Sequence, residues 1–478
     1  MSSELKIDHP TDSVKHPIEG NHLEVGAACA PGAPVLDDET NRRLLRKIDR
    51  SLMPVMCFTY ALQYYDKALL SQAAIFGLRE DLDLEDGLKY SWVSLIFYFG
   101  YMAGCYPRFT VGKVCPAICF LWAVVVLCTP ACTNYTGMLI NRFMLGLIES
   151  GVSPAFMLCT GMWYTHSEQV FRSSLWYSFS GGSNIISPLI NYGLGHITGG
   201  VLRPWQYMYL IAGLATLLWS IILWFVFPGS PQDAKGFTVE ERILLLERVR
   251  NNNAGAENRH FKWYQVREAL RSYHFWFVFF LSVLSSSGNG AATTFGSIIF
   301  NGMGFTVFQS LLLNMPIGAL AFICVLGSGY IGRTVPNSRL HVVSARWQLP
   351  SSQRAARIIG FYLINFFSSA WVQCIAMGTS NVAGHTKKAT MAAGTFVGYS
   401  LGNIIGPLTF DANDAPRYDP GFRATVICFA ICLVMAQAFR ALMDAQNRRR
   451  DRTYGLPTGE HGLDDLTDGE NTSFRYAL

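Results

Sequence analysis

The chain has 478 residues, half of them hydrophobic and 15% charged, with a formal net charge of +5. No Asp, Glu, Lys or Arg occurs in 114–141, 173–202 or 275–332. Such runs exclude an ordinary soluble domain and suit bilayer crossings of roughly 20 apolar residues. The basic residues cluster beside these runs, which excludes nucleic-acid binding as the meaning of the charge.

Residues 1–46 are polar and lack an apolar signal core, so a disordered cytoplasmic tail is predicted. Arg42, Arg43, Arg46, Lys47 and Arg50 precede a first span at 51–78 and place the amino terminus in the cytoplasm. Spans two to six are predicted at 90–107, 114–132, 136–164, 173–197 and 205–228, giving a helical half over 47–228. Residues 229–272 are a charged cytoplasmic linker, in which Thr238 and Glu241 form the capping box of an amphipathic helix.

Spans seven and eight are predicted at 273–300 and 305–332, and further spans at 358–380, 389–410 and 424–442. These build a second half over 273–443, followed by a cytoplasmic tail over 444–478. Between 333 and 357, Arg339, Arg346 and Arg354 interrupt any crossing, which leaves eleven clear spans. An odd count would put Lys387, Lys388 and Arg448 to Arg450 outside, against the positive-inside rule. A crossing restored near 343–347 corrects each placement, so the region reads as an internal deletion, and 334–356 is expected to form a strained connection.

Arg142, Gly146, Glu149 and Ser153 stand at i, i+4, i+7 and i+11, sharing one face of a membrane helix. Charges in hydrocarbon are costly, so that face looks into the bundle or a cavity. Asp66 and Lys67 lie within the first span, about 100° apart around the helix, and do not satisfy only each other. Asp66, Lys67, Arg142 and Glu149 form either a proton-coupling charge network or a lattice of structural ion pairs. Arg142 is the candidate for a substrate carboxylate because its guanidinium grips bidentately. Asn289, Asn314, Gln373 and Asn403 lie in spans of the second half, where amides either read a hydrogen-bonding substrate or bond neighbouring helices.

The twelve cysteines are scattered through apolar runs, so no disulfide or metal site is expected. No phosphate-binding loop or nucleophile motif occurs, which argues against an enzyme, a cofactor and ATP-driven transport.

Arg142, Phe143, Leu145, Gly146, Glu149 and Pro154, followed by Trp163-Tyr164, Glu168-Gln169 and Arg172, resemble the signature of the fungal allantoate permease family. Tyr65-Asp66-Lys67, the run from Pro228 to Arg242 and the runs after Asn381 and Gly402 extend the likeness over about 45–445. That family is the anion:cation symporter branch of the major facilitator superfamily. The resemblance implies an all-α membrane protein of two helical halves, with twelve spans where this chain shows eleven. It also implies proton-coupled import of a small organic anion such as a ureido acid, a vitamin carboxylate or a small peptide. A monomer in the plasma membrane with both termini cytoplasmic is expected. An efflux carrier and a non-transporting product of a damaged gene are the alternatives.

Overall fold

The structure, a computed structural model, describes residues 37–104, 111–197, 199–228, 231, 234, 236–250, 261–334, 371, 374–375, 377–378, 381–410, 419–455 and 466–476. Gln373, the tail to residue 36, the interrupted region at 334–356 apart from Thr334, and most of the span expected at 358–380 lie outside the described residues.

All regular structure among the described residues is helical. The first half contains α1 (Asp38–Ala73), α2 (Lys89–Gly104), α3 (Val111–Cys128), α4 (Tyr135–Glu149), α5 (Val152–Trp163), α6 (His166–Gly195) and α7 (Pro204–Val226). Two linker helices follow, α8 (Val239–Arg250) and α9 (Trp263–Arg271). The second half contributes α10 (Tyr273–Gly302), α11 (Val307–Leu312), α12 (Met315–Thr334), α13 (His385–Leu408) and α14 (Asp419–Tyr454). Among the described residues, six helical stretches are long and apolar enough to cross a membrane.

Several boundaries differ from expectation. Helix α1 begins inside the predicted tail because Leu44, Ile48 and Leu52, one turn apart, are buried and extend its packed face. It ends in a kink at 74–78, where Gly77 takes φ +95°, a conformation that favours glycine. The fourth crossing is two helices, α4 and α5, interrupted at Ser150 and Gly151. The eighth is divided between α11 and α12. Helix α14 continues well past residue 443, and residues 466–476 fold back onto the bundle rather than trailing from it.

Small residues set the closest approaches. A Cβ on Gly146 would lie 1.9 Å from the Phe97 carbonyl oxygen, and one on Gly100 would lie 2.2 Å from that of Phe143, so α2 and α4 touch backbone to backbone. The halves meet along α6 with α12 and along α2 with α13. A Cβ on Gly181 would come within 2.5 Å of the Gly318 oxygen, and one on Gly318 within 2.6 Å of the Gly181 oxygen. The halves also meet at the end of the bundle away from the described termini. There Ser94 and Thr294 hydroxyls lie 2.7 Å apart, the Ser71 hydroxyl accepts from the Ser297 N–H at 3.2 Å, and the Phe308 ring stacks on His196.

Candidate substrate and coupling site

The four candidate charged residues of the first half fall into two groups. Lys67 on α1 reaches Glu149 at the end of α4, with Nζ 3.1 Å from Oε1, close enough for an ion pair though not aligned for a hydrogen bond. Glu149 is fully buried. The Lys67 ammonium also lies 5.4 Å from the ring centres of Phe97 and Tyr101 on α2. Gln63, one turn back on α1, is buried, and neither its amide nitrogen nor its oxygen has a hydrogen-bond partner among the described residues.

The second group joins α1 and α4 to α7. Arg142 donates to the Tyr209 hydroxyl on α7 and rests on the same ring, 5.4 Å from its centre. Asp66 is buried near Trp122, Arg142 and Glu149, yet neither of its oxygens is hydrogen-bonded among the described residues. The 100° step between Asp66 and Lys67 thus turns them toward different partners, as helix geometry requires. The structure brings all four charged residues into one neighbourhood and bonds Arg142 to Tyr209.

Aromatic and amide groups join this neighbourhood to the second half. The Tyr64 hydroxyl donates to Asn289 Oδ1 at 3.1 Å. Asn289 Nδ2 donates to Asn403 Oδ1 at 2.7 Å and to the Tyr399 hydroxyl at 3.3 Å. Tyr399 on α13 packs against Tyr98 and Tyr101 of α2 and against Trp371, with ring centres 6.2, 6.3 and 4.6 Å away. The Tyr101 ring thus lies against both the Lys67 ammonium and Tyr399 of the opposite half. Asn314 stands apart, donating to Ser310 O at 2.9 Å and Ser297 Oγ at 3.2 Å and so holding α12 to its own half.

Sequence reasoning missed Gln63, Tyr209 and the tyrosine cluster. A signal was present for some of these. Gln63 and Lys67 are an i, i+4 pair, and Tyr98 and Tyr101 an i, i+3 pair, which puts each pair on one helix face. Nothing in the sequence ties Tyr209 to Arg142 across 67 positions.

Ion pairs also fasten the linker to the first half. Lys47 meets Glu241 at 2.6 Å, while Arg248 pairs with Glu168 and donates to Asn41 Oδ1 at 2.6 Å. The Lys47 ammonium holds the Glu241 carboxyl below the usual carboxylate range. In the second half, Lys387 is almost fully buried between Glu268 at 2.7 Å and Asp468 at 2.6 Å.

Two helical halves, a buried charge cluster on the inner helices of the first and a polar aromatic cluster between them define a membrane carrier of the two-half kind. The chain matches the Major Facilitator Superfamily over residues 56–407 and belongs to that superfamily. It is similar to an uncharacterized transporter of Schizosaccharomyces pombe, 36% identical over 93% of this chain and 91% of that one. It is also similar to the allantoate permease of Saccharomyces cerevisiae, 30% identical over 92% of this chain and 87% of the relative. The chain is thus an allantoate permease-like member among the fungal transporters of the superfamily, and not an enzyme. Among solved structures, the proton:xylose symporter XylE from E. coli shares the fold with a TM-score of 0.64 at 15% identity, covering 82% of this chain and 95% of that one.

Proposed function

We propose that the protein is a proton-coupled secondary active transporter that imports a small organic anion across the plasma membrane, with both termini cytoplasmic. The observation that carries this reading is the Lys67–Glu149 pair beneath the tyrosine cluster between the halves. A buried cation whose one ion-pair partner among the described residues is a carboxylate becomes available to a substrate anion when that carboxylate takes up a proton. Protonation of Glu149 releases Lys67, and the substrate carboxylate replaces the lost charge. Asn289 and Asn403, with Tyr64 and Tyr399, supply hydrogen bonds to the rest of the substrate from the second half. Arg142 acts from behind, holding Asp66 and Tyr209 in the same field, so the anion-binding role passes to Lys67 in this proposal. Gln373 and Asn314 are given no direct part.

Ureido acids, pyridine or aliphatic vitamin carboxylates and small peptides are the substrates to try. The test is uptake by purified protein in liposomes with an imposed pH gradient, inside alkaline. The reading expects accumulation of one of these anions that collapses with the gradient. Glu149→Gln should lose accumulation while keeping anion exchange. Accumulation by Glu149→Gln equal to wild type would overturn the coupling role.

A further inference from the structure

Helix α9 carries a surface that transport does not explain. Its inner face is settled: Gln265 Oε1 accepts from the Lys387 N–H at 3.2 Å, Ala269 is fully buried, and the Lys262 N–H donates to Thr386 Oγ1 at 3.2 Å. These contacts hold α9 across the first turn of α13. The opposite face presents Trp263, Tyr264, Arg267, Leu270 and Arg271, all exposed, with Trp263 reaching 76%. At 100° per residue these five side chains occupy one continuous arc of about 120°.

Two further observations say what covers this arc. The first is continuity: only Ser272 separates α9 from α10, and the Trp276 indole donates to the Leu270 carbonyl at 2.9 Å. Trp276 and Phe280 are themselves exposed on α10, a crossing helix, so they face lipid. The aromatic face of α9 thus runs without a break into a lipid-facing surface, at the depth where that surface begins. Trp and Tyr are the residues that favour this depth.

The second observation is charge. The acid of this helix, Glu268, turns to the buried Lys387. Neither Arg267 nor Arg271 has an ion-pair partner among the described residues, so the outer face is left cationic. Two basic side chains flanked by aromatic ones on a helix face at this depth suit a layer of anionic phosphate groups.

We propose that α9 lies in the membrane interface and binds the anionic phospholipid headgroups of the leaflet on its side of the bundle, through Arg267 and Arg271 with Trp263 and Tyr264 inserted beside them. The full chain in nanodiscs of phosphatidylcholine, with or without phosphatidylserine, tests this. The fluorescence contributed by Trp263, taken as the difference from the Trp263→Phe protein, should be quenched by lipid brominated near the glycerol end and spared by aqueous iodide. Retention of phosphatidylserine over phosphatidylcholine should fall roughly thirtyfold in the Arg267→Gln/Arg271→Gln double variant, from the usual attraction per basic residue near an anionic surface. The Arg267→Lys/Arg271→Lys variant should keep most of that preference and shows that the fold tolerates change there. Quenching of Trp263 by iodide, as expected of a face that waits for a soluble protein, would overturn the proposal. So would an unchanged lipid preference in the glutamine variant.

Discussion

At the scale of single residues, the Lys67–Glu149 pair makes a prediction that separates stability from transport. Removing one member strands a buried charge, at about 3–5 kcal/mol, whereas removing both leaves two neutral groups. Lys67→Gln should therefore lower the unfolding temperature in detergent markedly, and Lys67→Gln/Glu149→Gln should recover much of the loss. Neither should restore gradient-driven uptake. A double variant no more stable than the single would show that the pair does not govern stability. The sequence announced these residues through one fact, ionisable groups within apolar runs, because hydrocarbon makes every such group conspicuous. It was silent on partners, since α1 meets α4, and α4 meets α7, only through the folded bundle. The tyrosines went unread because tyrosine is enriched at membrane interfaces as well, so its presence in an apolar run does not mark a site.

At the scale of helices, packing by absent side chains governs. Gly146 stands a turn from Arg142 and nearly one from Glu149, on the face where α4 presses α2. Gly146→Ala would force that contact open and displace both charged neighbours, so stability and uptake should fall together, by about 1–3 kcal/mol in thermal or denaturant unfolding. The sequence displayed this glycine on the charged face but not which helix it meets. Linker helix α8 was legible from its capping box, and the box forms, with the Glu241 N–H donating to Thr238 Oγ1 at 3.2 Å. Helix α9 was not legible, because nine residues hold too few turns for a period to stand out from the charged linker around them.

The α8 contact carries a pH dependence with a defined sign. Lys47 lowers the carboxyl of Glu241 in the docked state relative to the undocked state. The contribution to docking is therefore present above the undocked value and is lost as pH falls through the docked one. Limited proteolysis of the linker should accelerate as pH drops below the normal carboxylate range, and Glu241→Gln should remove that acceleration. An unaltered pH profile in the glutamine variant would assign the effect to another group.

At the scale of the whole molecule, Gly181 and Gly318 form the place where the halves touch with no side chains between them. A carrier that exposes its site first on one side and then on the other needs such a contact, about which separation changes least. Gly318→Leu should separate α6 from α12 and slow substrate exchange across the membrane, while each half keeps its own contacts and equilibrium binding persists. Binding lost in proportion to exchange would argue that the contact shapes the site and does not serve as a fulcrum.

The returning segment at 466–476 bears on how the second half is made. Arg450 grips the carbonyls of Asp468, Asn471 and Phe474, and Tyr476 stacks on His274 and donates to Asp468. Lys387 leaves the ribosome long before Asp468 does, and until then Glu268 is its one carboxylate partner among the described residues. The helices of this half are therefore made before Asp468, the second carboxylate that offsets Lys387, joins them. Without that segment Lys387 would keep Glu268 and lose Asp468, and Arg450 would lose three carbonyl partners.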